Sequence, residues 1–406
     1  MGALYFLQNN TNRDPVMDTN QTSKELSEKQ VYSIAGGHLF HDLYTSFLAP
    51  LLPTLMDNLS INLTGAGILT SISRLPSILN PFIGYLADKT GARYFVIFAP
   101  AFTATLMSLI GSTNSPISLG IVLFLSGASS TTFHASSPGL VAKATESRKG
   151  FGLSVYMAGG GIGRGLGPLL AVWALSTWGL SGLWRLMFLG WGVSLILYFQ
   201  FRNFEFKPKE RYSLRKEIPF FKRFFIPLAF VLILRSALTA CLSTYLPVFM
   251  VQSGTPLWLA GAALSILEIS GVIGALVLGP FSDKIGRKKV ITISITISSI
   301  LVPVFLQLSG WSVFPLLVLI GFFSLSTGTI FLALVQDNFQ HHRATGNSIY
   351  ILLSFLSNAL MLIVIGIIGD NFGLSLAYWI GSIAAILSIP VMKLLPAFNP
   401  DQTPIG

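Results

Sequence analysis

Charge is scarce in this chain. Of its 406 residues only 10% are Asp, Glu, Lys or Arg, against about 25% in soluble domains, which excludes an ordinary water-soluble fold of this length. Cysteine is nearly absent too. The single Cys241 permits no intramolecular disulfide. No Gly-x-x-x-x-Gly-Lys-Ser/Thr phosphate loop occurs, which argues against a nucleotide-driven pump. No nucleophile–base cluster or metal-ligand set occurs either, so the chain is not read as an enzyme. Residues 1–30 are mostly polar, lack the charged-then-apolar order of a signal peptide, and are expected to be a disordered tail. Met1-Gly2 is not a myristoylation start, because Phe6 stands where Ser or Thr is needed.

Apolar sequence is what the chain has instead. Hydrophobic residues make up 52% and the mean hydropathy is +0.68. A hydrocarbon core about 30 Å thick needs about 20 apolar residues per helix. Runs of that kind lie at 31–56, 65–86, 94–111, 116–142, 150–175, 184–201, 225–251, 257–281, 290–308, 312–336, 346–369 and 373–395. They lack the shorter alternating segments of a membrane barrel. An all-helical protein with twelve spans, six in each half, is expected.

The cations are distributed unevenly along these connections. Lys89 and Arg93, then Lys143, Arg148 and Lys149, follow the second and fourth runs; Arg287, Lys288, Lys289 and Arg343 follow the eighth and tenth; and a basic segment from Arg202 to Arg223 lies at mid-chain. The opposite connections, 57–63, 112–115, 176–183, 252–256, 309–311 and 370–372, contain no Lys or Arg. Basic connections stay inside, so both termini and the central linker are expected in the cytoplasm, with the chain in the cytoplasmic (inner) membrane. The net charge of +10 then faces anionic lipid, and no soluble domain remains for nucleic acid to bind. The divisions expected are a polar tail 1–30, a six-helix bundle 31–201, a basic surface-lying linker 202–224, a second bundle 225–395 and a tail 396–406.

Two stretches repeat one motif: Gly84-Tyr-Leu-Ala-Asp88-Lys89-Thr-Gly91-Ala-Arg93 and Gly279-Pro-Phe-Ser-Asp283-Lys284-Ile-Gly286-Arg287. Asp88 and Asp283 are 195 residues apart, as are Arg148 and Arg343, so the halves read as a duplication of the kind found in secondary transporters. Gly84 and Gly279 allow close helix approach, and Gly91 and Gly286 allow a tight turn. Asp88 and Asp283 can pair with cations or cap a neighbouring helix. A gate latch is the expected role, with no contact to substrate.

This doubled motif resembles the signature loop of the major facilitator superfamily, and the resemblance covers essentially the whole chain. Gly163-x-x-x-Gly167-Pro168 looks like the core of the motif carried by that superfamily's proton-coupled exporters, although Leu169-Leu170 replaces the usual following glycines. Its plainer reading is a Gly-rich packing face with a proline bend. Further matches resemble the fosmidomycin-resistance group of exporters: His38-Leu-Phe-His41-Asp42, Phe133-His134-Ala135-Ser136-Ser137, Gly159-Gly160 through Leu166-Gly167-Pro168, and Gln336-Asp337. Ser136 replaces a carboxylate, His41 an amide, and Arg164 a small residue. The resemblance implies a pseudo-symmetric pair of bundles whose cavity is lined by helices one, four, seven and ten, with two, five, eight and eleven beside them.

Ionisable residues inside spans default to functional candidates, because burying each costs about 2.5–3.5 kcal/mol. Here they are His38, His41 and Asp42 in the first span, Arg74 in the second, His134 in the fourth, Arg164 in the fifth, Arg235 in the seventh and Glu268 in the eighth. Arg185 is read as an interfacial anchor. His38, His41 and Asp42, spaced i, i+3, i+4, share one helix face. A carboxylate beside imidazoles suits proton uptake and release, so Asp42, Glu268, His38 and His41 are the proton-coupling candidates. The alternative is that Asp42 merely holds an Arg or His. Zinc is not expected, as no Cys or His-x-x-x-His pair accompanies these histidines.

Arg74, Arg164, Arg235 and His134 are the substrate-binding candidates. Three arginines against two deep acids suit an organic anion, which would bind most tightly with an acid protonated. Internal ion pairing and a neutral or lipophilic substrate remain the alternative. The function expected is proton-coupled export of a small anionic or amphiphilic compound by a monomer working by alternating access. It needs no cofactor beyond the coupling proton and has only substrate and lipid as partners. Proton-coupled uptake of an organic anion and a non-transporting receptor are the alternatives.

Overall fold

The computed structural model describes residues 28–80, 82–83, 93–144, 149–203, 218–339 and 343–396. Gly84, Asp88, Gly91 and Arg148 lie outside the described residues, as do most of the polar tails and of the 202–224 linker. All regular structure among the described residues is helical. The main helices are α1 (Glu28–Thr45), α2 (Leu48–Leu59), α3 (Leu63–Ile72), α4 (Arg93–Ser108), α5 (Pro116–Ala144), α6 (Lys149–Trp178), α7 (Met187–Phe201), α8 (Ile218–Ala240), α9 (Leu246–Gln252), α10 (Leu257–Ile285), α11 (Arg287–Phe305), α12 (Val313–Ser324), α13 (Thr327–Asn338), α14 (Arg343–Phe372) and α15 (Leu374–Met392).

Nine stretches among the described residues are long and apolar enough to cross a membrane. The other three expected runs take different forms, and they are the ones that carry Asp42, Arg74 and Arg164. The first is broken into α1 and α2 at Ser46–Phe47. There the Thr45 hydroxyl donates to the Asp42 carbonyl (3.0 Å) and the Ser46 hydroxyl to the Leu43 carbonyl (2.8 Å), while Pro50 in the first turn of α2 supplies no N–H to carry the ladder on. The second run is α-helical to Ile72 and then tightens into a 3-10 turn at Leu75–Leu79 around Pro76. The third, α6, is an unbroken 30-residue helix, about 45 Å long at 1.5 Å per residue. Its glycines and Arg164 make it less apolar without shortening it.

Large apolar side chains such as Phe102, Ile117, Phe199, Phe230 and Ile273 stand exposed along the helices. Water would not tolerate so many, and lipid covers them at no cost. Inside, α6 packs between α1 and α10, and α3 packs on α14, so sequence-distant helices meet along one seam. The seam is tightest at the end that carries the cation-free connections. There Asp370 of α14 accepts the Leu63 N–H (2.9 Å), the Thr64 N–H (2.8 Å) and the Thr64 hydroxyl (2.5 Å). The Tyr245 hydroxyl lies between the carbonyls of Leu362 (2.7 Å) and Leu63 (3.1 Å), placed by a π-helical turn at Cys241–Tyr245. Ser71 adds a bond to the Ala359 carbonyl at 2.7 Å.

Asp370 sits in the last turn of its own helix, where the dipole disfavours a carboxylate, and at the first turn of α3, where the dipole favours one. Bonds to a charged acceptor are each worth about 1.5–3 kcal/mol. Asp370→Asn should therefore loosen this end of the seam and shift the equilibrium toward its open form by roughly 10–100-fold. The measurement is labelling of a cysteine introduced at Asn371 in a chain whose buried Cys241 has been replaced. Unchanged labelling would show that this contact does not hold the seam.

Candidate transport site

Asp42 is the centre of the site. It lies on α1, only 2% exposed, and three side chains from other turns and helices converge on its carboxylate. Arg164 of α6 donates to Oδ2 at 2.6 Å. His38, one turn earlier, places Nε2 at 3.3 Å from Oδ2, and His134 of α5 places Nε2 at 3.4 Å from Oδ1. Both imidazoles are anchored on their far side, His38 Nδ1 to the Tyr156 carbonyl (2.8 Å) and His134 Nδ1 to the Ser130 carbonyl (3.0 Å).

The Gly-rich run in α6 explains how these helices come so close. A Cβ at Gly160 would stand inside the His38 ring, so only glycine lets α1 lay that imidazole on the backbone of α6. Tyr156, one turn earlier, stacks on His38 with ring centroids 4.0 Å apart, and its hydroxyl lies 2.6 Å from Ser137 of α5. Tyr156 and Ser137 thus brace the imidazole. Sequence reasoning passed over Tyr156, which carries no charge and sits in no motif.

Arg164 reaches across the seam. While one of its nitrogens bonds Asp42, its Nε lies 3.7 Å from Glu268 Oε2 on α10, so one guanidinium straps two carboxylates of opposite halves. Its side chain is 44% exposed, against 3% for Asp42 and 16% for Glu268. Arg164 therefore faces open space, where solvent weakens the pairing relative to a sealed ion pair.

The other two arginines have no such partner. Arg74 lies over the Phe355 ring at 5.7 Å, and its Nε has no hydrogen-bond partner. It is within electrostatic range of Arg164, Glu268 and Asp42 without bonding any of them. Arg235 donates Nε to the Thr327 hydroxyl at 2.8 Å and lies over Phe331 at 5.8 Å. Of the internal ion pairing raised above as an alternative, Arg164 with Asp42 is formed, whereas Arg235 makes no pair with Glu268, which lies instead beside Arg164. His41 stacks on Phe133 at 4.4 Å, with both ring nitrogens buried and unpartnered. It stands beside His134, ring centroids 5.4 Å apart, without bonding the carboxylate that its helix spacing suggested.

The second loop motif forms its own network. Arg287 bonds Asp283 (2.5 Å), Asp337 of α13 (2.9 Å) and the Ser282 hydroxyl (2.9 Å). Gly286 supports the turn at φ +103°, a region that side chains other than glycine rarely adopt, and Gly279 has open space around it. Of the first copy, Arg93 opens α4 with its guanidinium over Tyr94 at 4.7 Å. Asp283 is 57% exposed, and an exposed pair is worth about 0–1 kcal/mol. Asp283→Asn should then slow transport by less than about tenfold while leaving substrate affinity unchanged, and Asp88→Asn should act in the same sense. If both variants transport normally across a range of pH, the latch role is refuted.

The family model of the Major Facilitator Superfamily matches residues 34–350 and, in a second overlapping match, 260–404. The chain belongs to the Major Facilitator Superfamily. Among its relatives, the fosmidomycin resistance protein of Escherichia coli (strain K12) is 27% identical over 387 residues, covering 91% of this chain and 92% of that protein. The multidrug resistance protein MdtG of Salmonella arizonae is 23% identical over 292 residues, 68% and 72% of the two chains. Among solved structures, the nucleoside transporter NupG is similar in fold, with TM-score 0.68 at 15% identity over 91% of this chain and 99% of that one. A bacterial homologue of the human lysosomal transporter Spinster, inward-facing and occupied, gives 0.72 at 14% over 91% and 95%. This superfamily member is thus an integral membrane transporter of small molecules with efflux-type relatives, and not an enzyme.

Proposed function

We propose that this transporter exports a small organic anion or anionic amphiphile in exchange for protons. One observation carries the reading: Arg164 is committed to both Asp42 and Glu268, whereas Arg74 and Arg235 form no ion pair among the described residues. A planar guanidinium suits a carboxylate or phosphonate. The two free ones therefore hold the anion, one from each half of the chain, while Arg164 and its two acids handle the proton. Substrate is carried outward with Asp42 and Glu268 ionised and strapped. Protons then occupy the acids and release the strap for the return. With the basic connections inside, the end sealed by Asp370 faces outward, and the cavity opens to the cytoplasm.

A second reading is favoured if the substrate takes Arg164 itself. Protonation of Asp42 or Glu268 must then come first to free the guanidinium. Proton and anion travel together, which is the coupling of uptake. Proteoliposomes with an imposed pH gradient separate the two when screened with a panel of carboxylates, phosphonates and neutral drugs. Export by exchange gives accumulation of anions in vesicles that are acidic inside. Accumulation only in vesicles alkaline inside supports uptake, and no gradient-driven flux of any compound defeats both.

A further inference from the structure

The two imidazoles beside Asp42 present it with more than proton chemistry. A backbone carbonyl only accepts hydrogen bonds, so the contacts of His38 Nδ1 with Tyr156 and of His134 Nδ1 with Ser130 fix the ring proton on Nδ1 in both residues. Nε2 of each ring faces the carboxylate, at 3.3 and 3.4 Å, and either a second ring proton or a metal cation satisfies that approach. The separations suit a metal cation. A tetrahedral zinc ion with bonds of about 2.0–2.2 Å spaces its ligand atoms roughly 3.3–3.5 Å apart. One donor atom each from His38, Asp42 and His134 lies within 4.8 Å of the others, so closing all three on one ion takes an adjustment of the imidazoles as well as of the carboxylate. An imidazole that donates its far N–H to a carbonyl is also how metal-binding histidines are usually held and oriented. His134 comes from a different helix, which is why sequence spacing gave no sign of this set.

We propose that His38, His134 and Asp42 form a site for a divalent transition-metal cation, Zn2+ by its donors, with the fourth position open to the cavity. Two nitrogens and one oxygen disfavour Mg2+ and Ca2+, which take all-oxygen shells. Access is through His134, whose side chain is 32% exposed while those of His38 and Asp42 are 3% exposed. Arg164 is the built-in competitor. Its guanidinium, 2.6 Å from Asp42 Oδ2, must leave when the metal arrives, which leaves it to Glu268. Bound Zn2+ would hold Asp42 and arrest the transport cycle.

The test needs no gradient and no substrate, so it stands apart from the proton-coupling reading. The purified full-length protein in detergent is titrated with Zn2+ by calorimetry, and with Co2+ for its visible absorption, at fixed pH. One ion per chain is expected, with the intense four-coordinate Co2+ spectrum and a melting temperature raised by Zn2+. His38→Gln and His134→Gln should each weaken binding at least about tenfold. Arg164→Ser, which removes the competitor, should tighten it, a gain that misfolding cannot mimic. The remaining histidines apart from His41 are His341 and His342, and their double replacement by Gln should leave binding intact. Three results would each overturn the proposal: no stoichiometric binding, binding lost with His341 and His342, or affinity unmoved by the His38, His134 and Arg164 variants.

Discussion

Asp42→Asn and Glu268→Gln should each abolish flux driven by a pH gradient while leaving substrate binding and substrate–substrate exchange in place. At Asp42 an amide still accepts the Arg164 hydrogen bond, at Glu268 it removes the charge from a 3.7 Å ion pair, and in neither place does it carry an exchangeable acid proton, so the strap weakens and the coupling is lost. The two variants differ in one respect. Asp42 also faces His38 and His134, whereas the one ion pair Glu268 forms among the described residues is with Arg164. Asp42→Asn should therefore cost more stability. Breaking a sealed ion pair costs about 3–5 kcal/mol, but Arg164 is 44% exposed and recovers water, so a loss of roughly 1–2 kcal/mol is expected. Normal driven flux in both single variants and in the double variant would remove these acids from the mechanism.

Arg235→Gln and Arg74→Gln should weaken anionic substrates far more than neutral ones. A hydrogen bond to a charged group is worth about 1.5–3 kcal/mol, which is roughly a 10–100-fold rise in Kd for each arginine that touches the anion. Arg164→Ser should behave differently. If Arg164 is the strap, its loss spares anion affinity but uncouples transport from the pH gradient. If it is a ligand, affinity falls with the others and the uptake reading is favoured. Equal losses for charged and neutral compounds at Arg74 and Arg235 would defeat the anion assignment and point to a hydrophobic-drug exporter. Binding is measured directly on purified protein, so that coupling defects are not mistaken for affinity defects.

Much of the fold was legible because the bilayer demands long apolar runs, and few other proteins contain them. The all-helical, membrane-spanning character follows from that demand. The break between α1 and α2 was not legible: Thr45, Ser46 and Pro50 redirect backbone hydrogen bonds within a run that stays apolar throughout. Within the site, the i, i+3, i+4 spacing placed His38 and Asp42 together correctly but put His41 with them, whereas its ring turns to Phe133. Spacing fixes a helix face and leaves the rotamer open. His134 and Arg164 were recognisable as intramembrane ionisable residues, yet their convergence on Asp42 depends on how α5 and α6 pack, which no local pattern encodes. Asp370 left a signal that went unread. An acid in the last turn of a helix opposes its dipole and so calls for a partner elsewhere, here the first turn of α3.

The central claim is that protons and an anion are carried in turn, with Arg164 strapped to Asp42 and Glu268 while substrate moves. Its most direct test is substrate-driven proton movement in proteoliposomes that carry a pH-sensitive dye inside, with no pH gradient at the start. An outward gradient of a transported anion should acidify the lumen as protons enter in exchange, and Asp42→Asn or Glu268→Gln should abolish that signal. Alkalinisation of the lumen, with protons leaving alongside the anion, or anion efflux with no proton movement in the unmodified protein, would contradict the account.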